Sequence, residues 1–284
     1  MPPTRVALVT GGTAGIGLET ARGLLRAGFR VIISGRDADR LVAARRELAP
    51  THPATLVDTV RADFASLAEV RAMADTVLRQ CERIDVLVNN AGFISGEYRT
   101  SADGYELTVA VNHLAPFLLT NLLLERLRAS APARIVTVAS QAHKGMRLDV
   151  SALASGADWT PLKAYGRSKL CNILFTRALA RRLDPRQVVA ACLHPGVVRT
   201  KIGDSAGFLT GLGWRVVKPF LITPEQGAAT SVFLAATPDA TPYHGAYLIN
   251  RKIAQTDPAA RDDAVAEQLW AESARLVGLP AERV

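Results

Sequence analysis

The hydrophobic positions of this chain fall into two alternating textures. Short runs dense in β-branched residues recur along its length: Val6–Thr10, Arg30–Ser34, Thr55–Val60, Ile84–Asn89, Arg134–Ser140, Val188–Leu193 and Ala246–Ile249. Continuous apolarity over so few residues fits strands covered on both faces, as in a parallel sheet. Between them, apolar residues return at helical spacing near 15–27, 38–49, 66–81, 103–129, 162–183, 224–236 and 258–277. Regular β–α alternation with seven such runs predicts an α/β fold, a Rossmann-type doubly wound and mainly parallel seven-stranded sheet with helices on both faces.

No internal repeat, low-complexity tract or linker interrupts this pattern, so 1–284 reads as one domain. Two stretches break the alternation, Gln141–Pro161 and Lys201–Thr223. Insertions after the carboxyl ends of strands are where open α/β sheets hold their ligands.

Composition narrows the class. With 284 residues, 49% of them hydrophobic, the chain can bury a sizeable core without disulfides or a structural metal. Cys81, Cys171 and Cys192 are odd in number, far apart and set among apolar residues, which predicts reduced thiols and a cytoplasmic protein. No signal-like segment opens the sequence, and no uninterrupted apolar run approaches the ~18 to 20 residues of a membrane span, so no stable membrane insertion is expected. The net charge of +8 raises the question of an anionic partner. The arginines are scattered at helical spacing, with no basic cluster interleaved with aromatics, so the pattern predicts solvated helix faces and no nucleic-acid binding.

The first strand runs directly into Thr10-Gly11-Gly12-Thr13-Ala14-Gly15-Ile16-Gly17, and a helical pattern opens at about Gly15. Glycines so placed let the backbone turn tightly and approach a pyrophosphate, whose charge the helix N-terminus stabilises. Any tight βα connection could use one such turn. The spacing is Gly11-x-x-x-Gly15-x-Gly17, and three further segments follow in order: Asn89-Asn90-Ala91-Gly92, Tyr165-Gly166-Arg167-Ser168-Lys169 and Pro195-Gly196-Val197-Val198-Arg199-Thr200. Together they resemble the short-chain dehydrogenase/reductase family over nearly the whole chain.

That resemblance implies a nicotinamide dinucleotide bound by Gly11, Thr13, Ala14, Gly15, Ile16, Gly17, Arg36, Asp63, Phe64, Asn90, Ala91, Gly92, Tyr165, Lys169, Pro195, Gly196, Val198 and Thr200. It places Asp63 on the adenine amino group and the Asn89–Asn90 turn beside the adenine ribose. Read without it, Asp63 caps the helix starting near Ser66 and the asparagines make a turn. The NAD-selecting carboxylate of the family would fall at Gly35. Arg36 follows instead, a planar fork suited to a ribose phosphate, so NADP(H) is preferred over NAD(H). Asp37 and Asp39 read as caps of the next helix.

The catalytic set implied by the resemblance is Asn112, Ser140, Tyr165 and Lys169. Tyr165 and Lys169 lie four apart on a helix and share a face, although such a pair is also a common surface contact. A phenol is a weak base at neutral pH, and the adjacent ammonium should pull its pKa down. Ser140 closes a strand at the edge where ligands bind; its hydroxyl can hydrogen-bond a carbonyl oxygen. In the family, Asn112 supports a water-mediated proton relay to the lysine.

Between Ser140 and Tyr165 lie 24 residues, about twice the usual family spacing, and the added Met146–Trp159 segment is expected to shape one side of the substrate pocket. This spacing resembles the retinol dehydrogenase branch, as do Ala164–Thr176, Thr223-Pro224-Glu225-Gln226-Gly227-Ala228 and Gln268-Leu269-Trp270. The expected substrate is a small lipophilic aldehyde or ketone and its alcohol; a tailoring ketoreductase and a general aldehyde reductase share this pattern. Phe208–Ile222 reads as a mobile lid, with a membrane-seeking segment as the alternative. His143 reads as a solvated loop histidine, His113 and His194 as structural, and no cluster has metal-site spacing. A non-catalytic nucleotide sensor would not need Ser140, Tyr165 and Lys169 intact, and an epimerase or dehydratase would need a larger lobe after Thr200. A homo-oligomer is compatible with the sequence.

Overall fold

The computed structural model describes residues 4–49, 56–156, 158–196 and 222–280. Within them lie strands β1 (Val6–Val9), β2 (Arg30–Gly35), β3 (Val57–Arg61), β4 (Val86–Asn89), β5 (Ala133–Val138), β6 (Val188–His194), β7 (Tyr247–Ile249) and β8 (Lys252–Ile253). They form one sheet in the order β3-β2-β1-β4-β5-β6-β7-β8. Pairings from β3 through β7 are parallel, and only β7–β8 is antiparallel. The sheet therefore has eight strands among the described residues, not the expected seven. The extra one is a two-residue, fully exposed edge, reached through Asn250 and Arg251 at φ of 49° and 64°. A strand that short leaves no periodicity to read.

The continuous apolar runs bury both faces. Val6 and Leu8 belong to one core and Ala7 and Val9 to the other; Ile32 and its neighbours Val31 and Ile33 divide the same way. One face is covered by α1 (Gly15–Arg26), α2 (Ala38–Leu48) and α6 (Pro224–Ala236), the other by α3 (Leu67–Gln80), α4 (Leu107–Ala129), α5 (Pro161–Arg181) and α7 (Asp263–Leu276). Helix α4 has a mean hydropathy of 1.6, enough by length and composition to cross a bilayer, but 78% of that window is buried in the protein.

Boundaries shifted where side chains cap. Glu106 starts α4 four residues later than the pattern suggested, its carboxylate accepting from the N–H groups of Thr108 and Val109. Asp262 similarly divides the last helical pattern into a 3₁₀ turn at Pro258–Arg261 and α7.

Helix α7 braces α5. Trp270 is 5% exposed, with its ring 4.9 Å from Phe117 and 5.7 Å from Phe175. Around that wedge Arg177 and Arg181 pair with Asp263, and Arg181 and Arg182 with Glu267. Much of the arginine surplus thus forms ion pairs on helix surfaces, where each contributes little to stability. The buried ring dominates this contact, and Trp270→Ala should destabilise the fold by about 3 to 5 kcal/mol in urea unfolding. A change below about 1 kcal/mol would show that α7 is not held by this wedge.

Candidate active site

The sheet order reverses between β1 and β4, and the glycine loop leaves the sheet at this switch point. Buried Thr10 organises it. Its hydroxyl donates to the Val88 carbonyl at 3.2 Å and accepts from the N–H groups of Asn90 at 2.9 Å and Ala91 at 3.0 Å. Asn90 returns its side-chain amide to the carbonyls of Thr10 at 2.8 Å and Gly11 at 3.3 Å. The Asn90-Ala91-Gly92 turn is thus the support of the glycine loop. The sequence reading left Thr10 out, although a threonine at a strand end beside such a loop is visible in the pattern.

The glycines at 11, 15 and 17 are required sterically. Gly11 and Gly15 sit at φ of +66° and +56°, a region most side chains avoid. A Cβ on Gly17 would lie 2.2 Å from the Gly11 carbonyl oxygen and 2.5 Å from Asn90 Nδ2. Ala14, at the N-cap, makes no side-chain cap hydrogen bond, and the first turn of α1 carries no acidic residue. Thr13 and Ile16 are half-buried on either side. A helix N-terminus left open at the end of a glycine cradle fits a pyrophosphate.

The end of β2, where the adenosine is expected, is equally constrained. A Cβ on Gly35 would lie 2.7 Å from the Thr13 methyl group, so this position is already filled by the glycine loop. Arg36 is exposed, and its carbonyl accepts from Arg61 Nε at 3.1 Å. Asp37 caps α2, accepting from the Arg40 N–H at 3.0 Å. Asp63 is not the cap of α3: Ser66 is, while the Asp63 carboxylate accepts from the Ala65 N–H at 2.9 Å. The Phe64 side chain is 6% exposed and packs into the core, so only its backbone faces outward.

Opposite this cradle, β5 ends and α5 begins. Gly166 makes their approach feasible, since a Cβ there would lie 2.7 Å from the Ala142 carbonyl oxygen and 2.8 Å from Met146 Sδ. At this approach Ser140 Oγ accepts from the Ala142 N–H at 3.2 Å. Lys169, 3% exposed, donates from Nζ to the Val138 carbonyl at 3.0 Å and sits 5.4 Å from the Tyr165 ring centre. Burial lowers its pKa to about 8. Burial also pushes the Tyr165 phenol above its usual value, the Ser140 hydrogen bond drawing it partly back. The direction is thus opposite to the depression expected from Lys169, burial being the larger influence, and the phenol stays protonated at neutral pH.

Asn112 lies in a π-turn, Ala110–Leu114, within α4. Its Oδ1 accepts from the Phe93 N–H at 2.9 Å, and its Nδ2 donates to the Phe93 carbonyl and Ser168 Oγ, each at 3.0 Å. A Cβ at Gly92 would meet Asn112 Oδ1 at 3.1 Å and Lys169 Nζ at 3.4 Å, so these three residues converge. The side-chain amide is occupied by bracing contacts rather than by the lysine.

The long insertion packs inward. Leu153 joins the core, and Trp159 Nε1 donates to buried Glu106 at 3.1 Å. Beneath it lies a cavity of about 200 Å³ lined in part by Val109, Leu153, Trp159, Ala164 and Arg167. Tyr165 does not line it, so this cavity is not where a carbonyl would meet the phenol. His143 is corrected from a solvated to a buried residue, 0% exposed, with both ring nitrogens bonded. Pro195 and Gly196 stand at the end of β6, with Gly196 at φ +97° against Ile222. Val198, Thr200 and all of the expected lid except Ile222 lie outside the described residues.

Comparison with known proteins agrees with this architecture. Residues 5–207 match the short chain dehydrogenase family model. Human retinol dehydrogenase 13 is 40% identical over 99% of this chain and 87% of its own length. The Pseudomonas aeruginosa RhlG/NADP active-site complex superposes with a TM-score of 0.71 and 28% identity, covering 86% of this chain and 93% of that one. The Brucella melitensis 3-ketoacyl-(acyl-carrier-protein) reductase complexed with NADH gives 0.67 and 25%, covering 86% and 95%.

The steric demand at Gly17 yields a direct test. Gly17→Ala should weaken dinucleotide binding at least about tenfold, because the loop must move off its support to admit the methyl group. Titration of NADPH fluorescence would measure it, and a wild-type dissociation constant would show that the loop yields freely.

Proposed function

The chain belongs to the short-chain dehydrogenase family, on its retinol dehydrogenase-like branch, and from that premise we propose an NADP(H)-dependent oxidoreductase that interconverts a lipophilic aldehyde or ketone and its alcohol. The observation that carries this reading is the cluster of Ser140, Tyr165 and Lys169 at the carboxyl edge of the sheet, the edge from which the glycine loop also leaves.

Gly11, Gly15 and Gly17 would hold a nicotinamide dinucleotide, which when bound would supply hydride to a carbonyl carbon or accept it from an alcohol. Ser140 hydrogen-bonds the substrate oxygen and stabilises the charge that develops there. Tyr165 gives that oxygen its proton during reduction and takes one back during oxidation. A phenol kept protonated by burial is poised as the acid. Once the proton has left, the Lys169 ammonium beside the ring stabilises phenolate, and a pKa of about 8 leaves that ammonium mostly charged at neutral pH. Asn112 braces the Phe93 loop and Ser168 beneath Tyr165, keeping the two halves in register.

A lipophilic substrate follows from retinol, itself a lipophilic alcohol, in the relative's name, and from Leu162, 56% exposed one helical turn before Tyr165. The NADP(H) preference rests on the end of β2. A carboxylate at position 35 would collide with Thr13, and Asp37 is occupied as a helix cap. Exposed Arg36 is left to meet a ribose phosphate.

An NADPH-consumption screen over lipophilic aldehydes, ketones and quinones tests the activity itself. With a substrate in hand, Tyr165→Phe should lower kcat by ~10² or more while the NADPH dissociation constant stays within about twofold, since only the proton donor is removed. Retention of most of the wild-type kcat would remove Tyr165 from the reaction.

Arg36→Ala should raise the KM for NADPH roughly tenfold to a hundredfold and leave that for NADH nearly unchanged, the range expected of a charge-assisted contact. Equal losses with both cofactors, or a wild-type preference for NADH, would refute this assignment.

A further inference from the structure

The peptide bond after Ser140 is held from both sides. Its carbonyl accepts from His143 Nδ1 at 2.6 Å. On the opposite edge of the same plane, the Gln141 N–H donates to His194 Nδ1 at 3.4 Å. One imidazole comes from the turn after β5 and the other from the end of β6, so two neighbouring strand exits meet on a single amide.

The third contact fixes the tautomer of His143. Its Nε2 accepts from the Asp257 N–H at 3.2 Å, which leaves the proton on Nδ1, facing the Ser140 carbonyl. The ring is 0% exposed and stands edge-on to Tyr247 at 5.4 Å. The Asp257 carboxylate is occupied by the N–H groups of Gly145 and Ala259 and does not compete for the imidazole. Burial lowers the pKa of both histidines, that of His194 to about 4, with His143 and Lys144 adding to the effect. Both rings are therefore neutral at working pH, as their acceptor nitrogens require.

Ser140 is extended, with φ −160° and ψ 156°, so its hydroxyl and its carbonyl leave the chain on different sides. The hydroxyl accepts from the Ala142 N–H at 3.2 Å within the same turn, so a turn released from the two imidazoles would no longer hold Oγ in place. We propose that His143 is a positioning residue for Ser140: its Nδ1–H, with His194 on the opposite edge, locks the Ser140–Gln141 peptide and so holds the turn whose Ala142 N–H fixes Ser140 Oγ. This rests on the assignment of Ser140 to the reaction.

The test compares Ser140→Ala, His143→Asn and His143→Gln in the full chain, measuring carbonyl reduction and the NADPH dissociation constant. The Asn amide nitrogen takes the place of Nδ1 and can still donate to the Ser140 carbonyl. The Gln side chain reaches the place of Nε2 and leaves that carbonyl without its donor. His143→Gln should lower kcat roughly tenfold or more and His143→Asn less than about threefold, with NADPH affinity unchanged in both. If Ser140→Ala is impaired while both His143 variants match wild type, lose kcat equally or lose NADPH affinity instead, the positioning role is overturned and Ser140 keeps its place. Wild-type kcat in Ser140→Ala overturns both. Should a variant fail to fold, ring nitrogen–proton correlation spectra of the wild-type protein decide: an Nδ1–H tautomer at His143 is expected, and an Nε2–H tautomer sinks the proposal.

Discussion

Where β1 and β4 part, the chain leaves the sheet at two strand ends whose last polar groups have no further ladder to join. The hydroxyl of Thr10 meets that need with its full capacity, one donated and two accepted hydrogen bonds. The glycine loop and the Asn90-Ala91-Gly92 turn become one rigid body, and everything later in the site is measured from it. Gly17 must be bare because it lies against that body, and Gly92 because Asn112 and Lys169 close on its other side. A valine at position 10 would keep the shape and lose all three bonds, leaving buried N–H groups unpaired.

On the far side of the crevice the controlling term is desolvation. Enclosing Lys169 and Tyr165 among β5, α4 and α5 disfavours the charged form of each, which raises the phenol and lowers the ammonium. The two shifts move their proton affinities apart, the ammonium down to about 8 and the phenol above its usual value, so the resting pair is a neutral phenol beside the group that gives up its proton first. This arrangement depends on α5 being held immobile, which accounts for the Trp270 wedge and the ion pairs along α7. Packing along α7 thereby supports the geometry at the strand end, in the ordinary way that remote contacts hold a site in place.

Much of this was legible in the chain itself. Strands β1, β4, β5 and β6 are buried on both faces, and that burial is what their unbroken apolar runs encode. The glycine spacing, Ser140, Tyr165 and Lys169 came from ordered motifs, and the structure gathers the last three into one cluster. What stayed hidden was set by tertiary contacts with no local trace. The π-turn at Ala110–Leu114 sits in an ordinary apolar helix pattern, and β8 is two exposed residues. His143 looked solvated because Lys144 and Gly145 follow it, whereas its burial is imposed by Tyr247 and Asp257 from the end of the chain. The sign of the Tyr165 shift was missed for the same reason: spacing reveals a neighbouring charge but not how much water is excluded.

The two halves of the site are consequently built on opposite principles. The half proposed to hold the dinucleotide consists of backbone brought close by missing side chains, at Gly11, Gly17 and Gly35, beside an uncapped helix end. It is damaged by adding atoms. The other half, where the proposed chemistry falls, consists of buried and half-buried polar side chains hydrogen-bonded around a strand exit, with Lys169 on Val138, Ser140 on Ala142 and His143 on Ser140. It is damaged by removing atoms, because every deletion strands a partner away from water. Substrate range is free of both constraints. In open α/β sheets such range is set by the segments that leave the carboxyl edge, so a single rigid scaffold serves different substrates when those segments are exchanged.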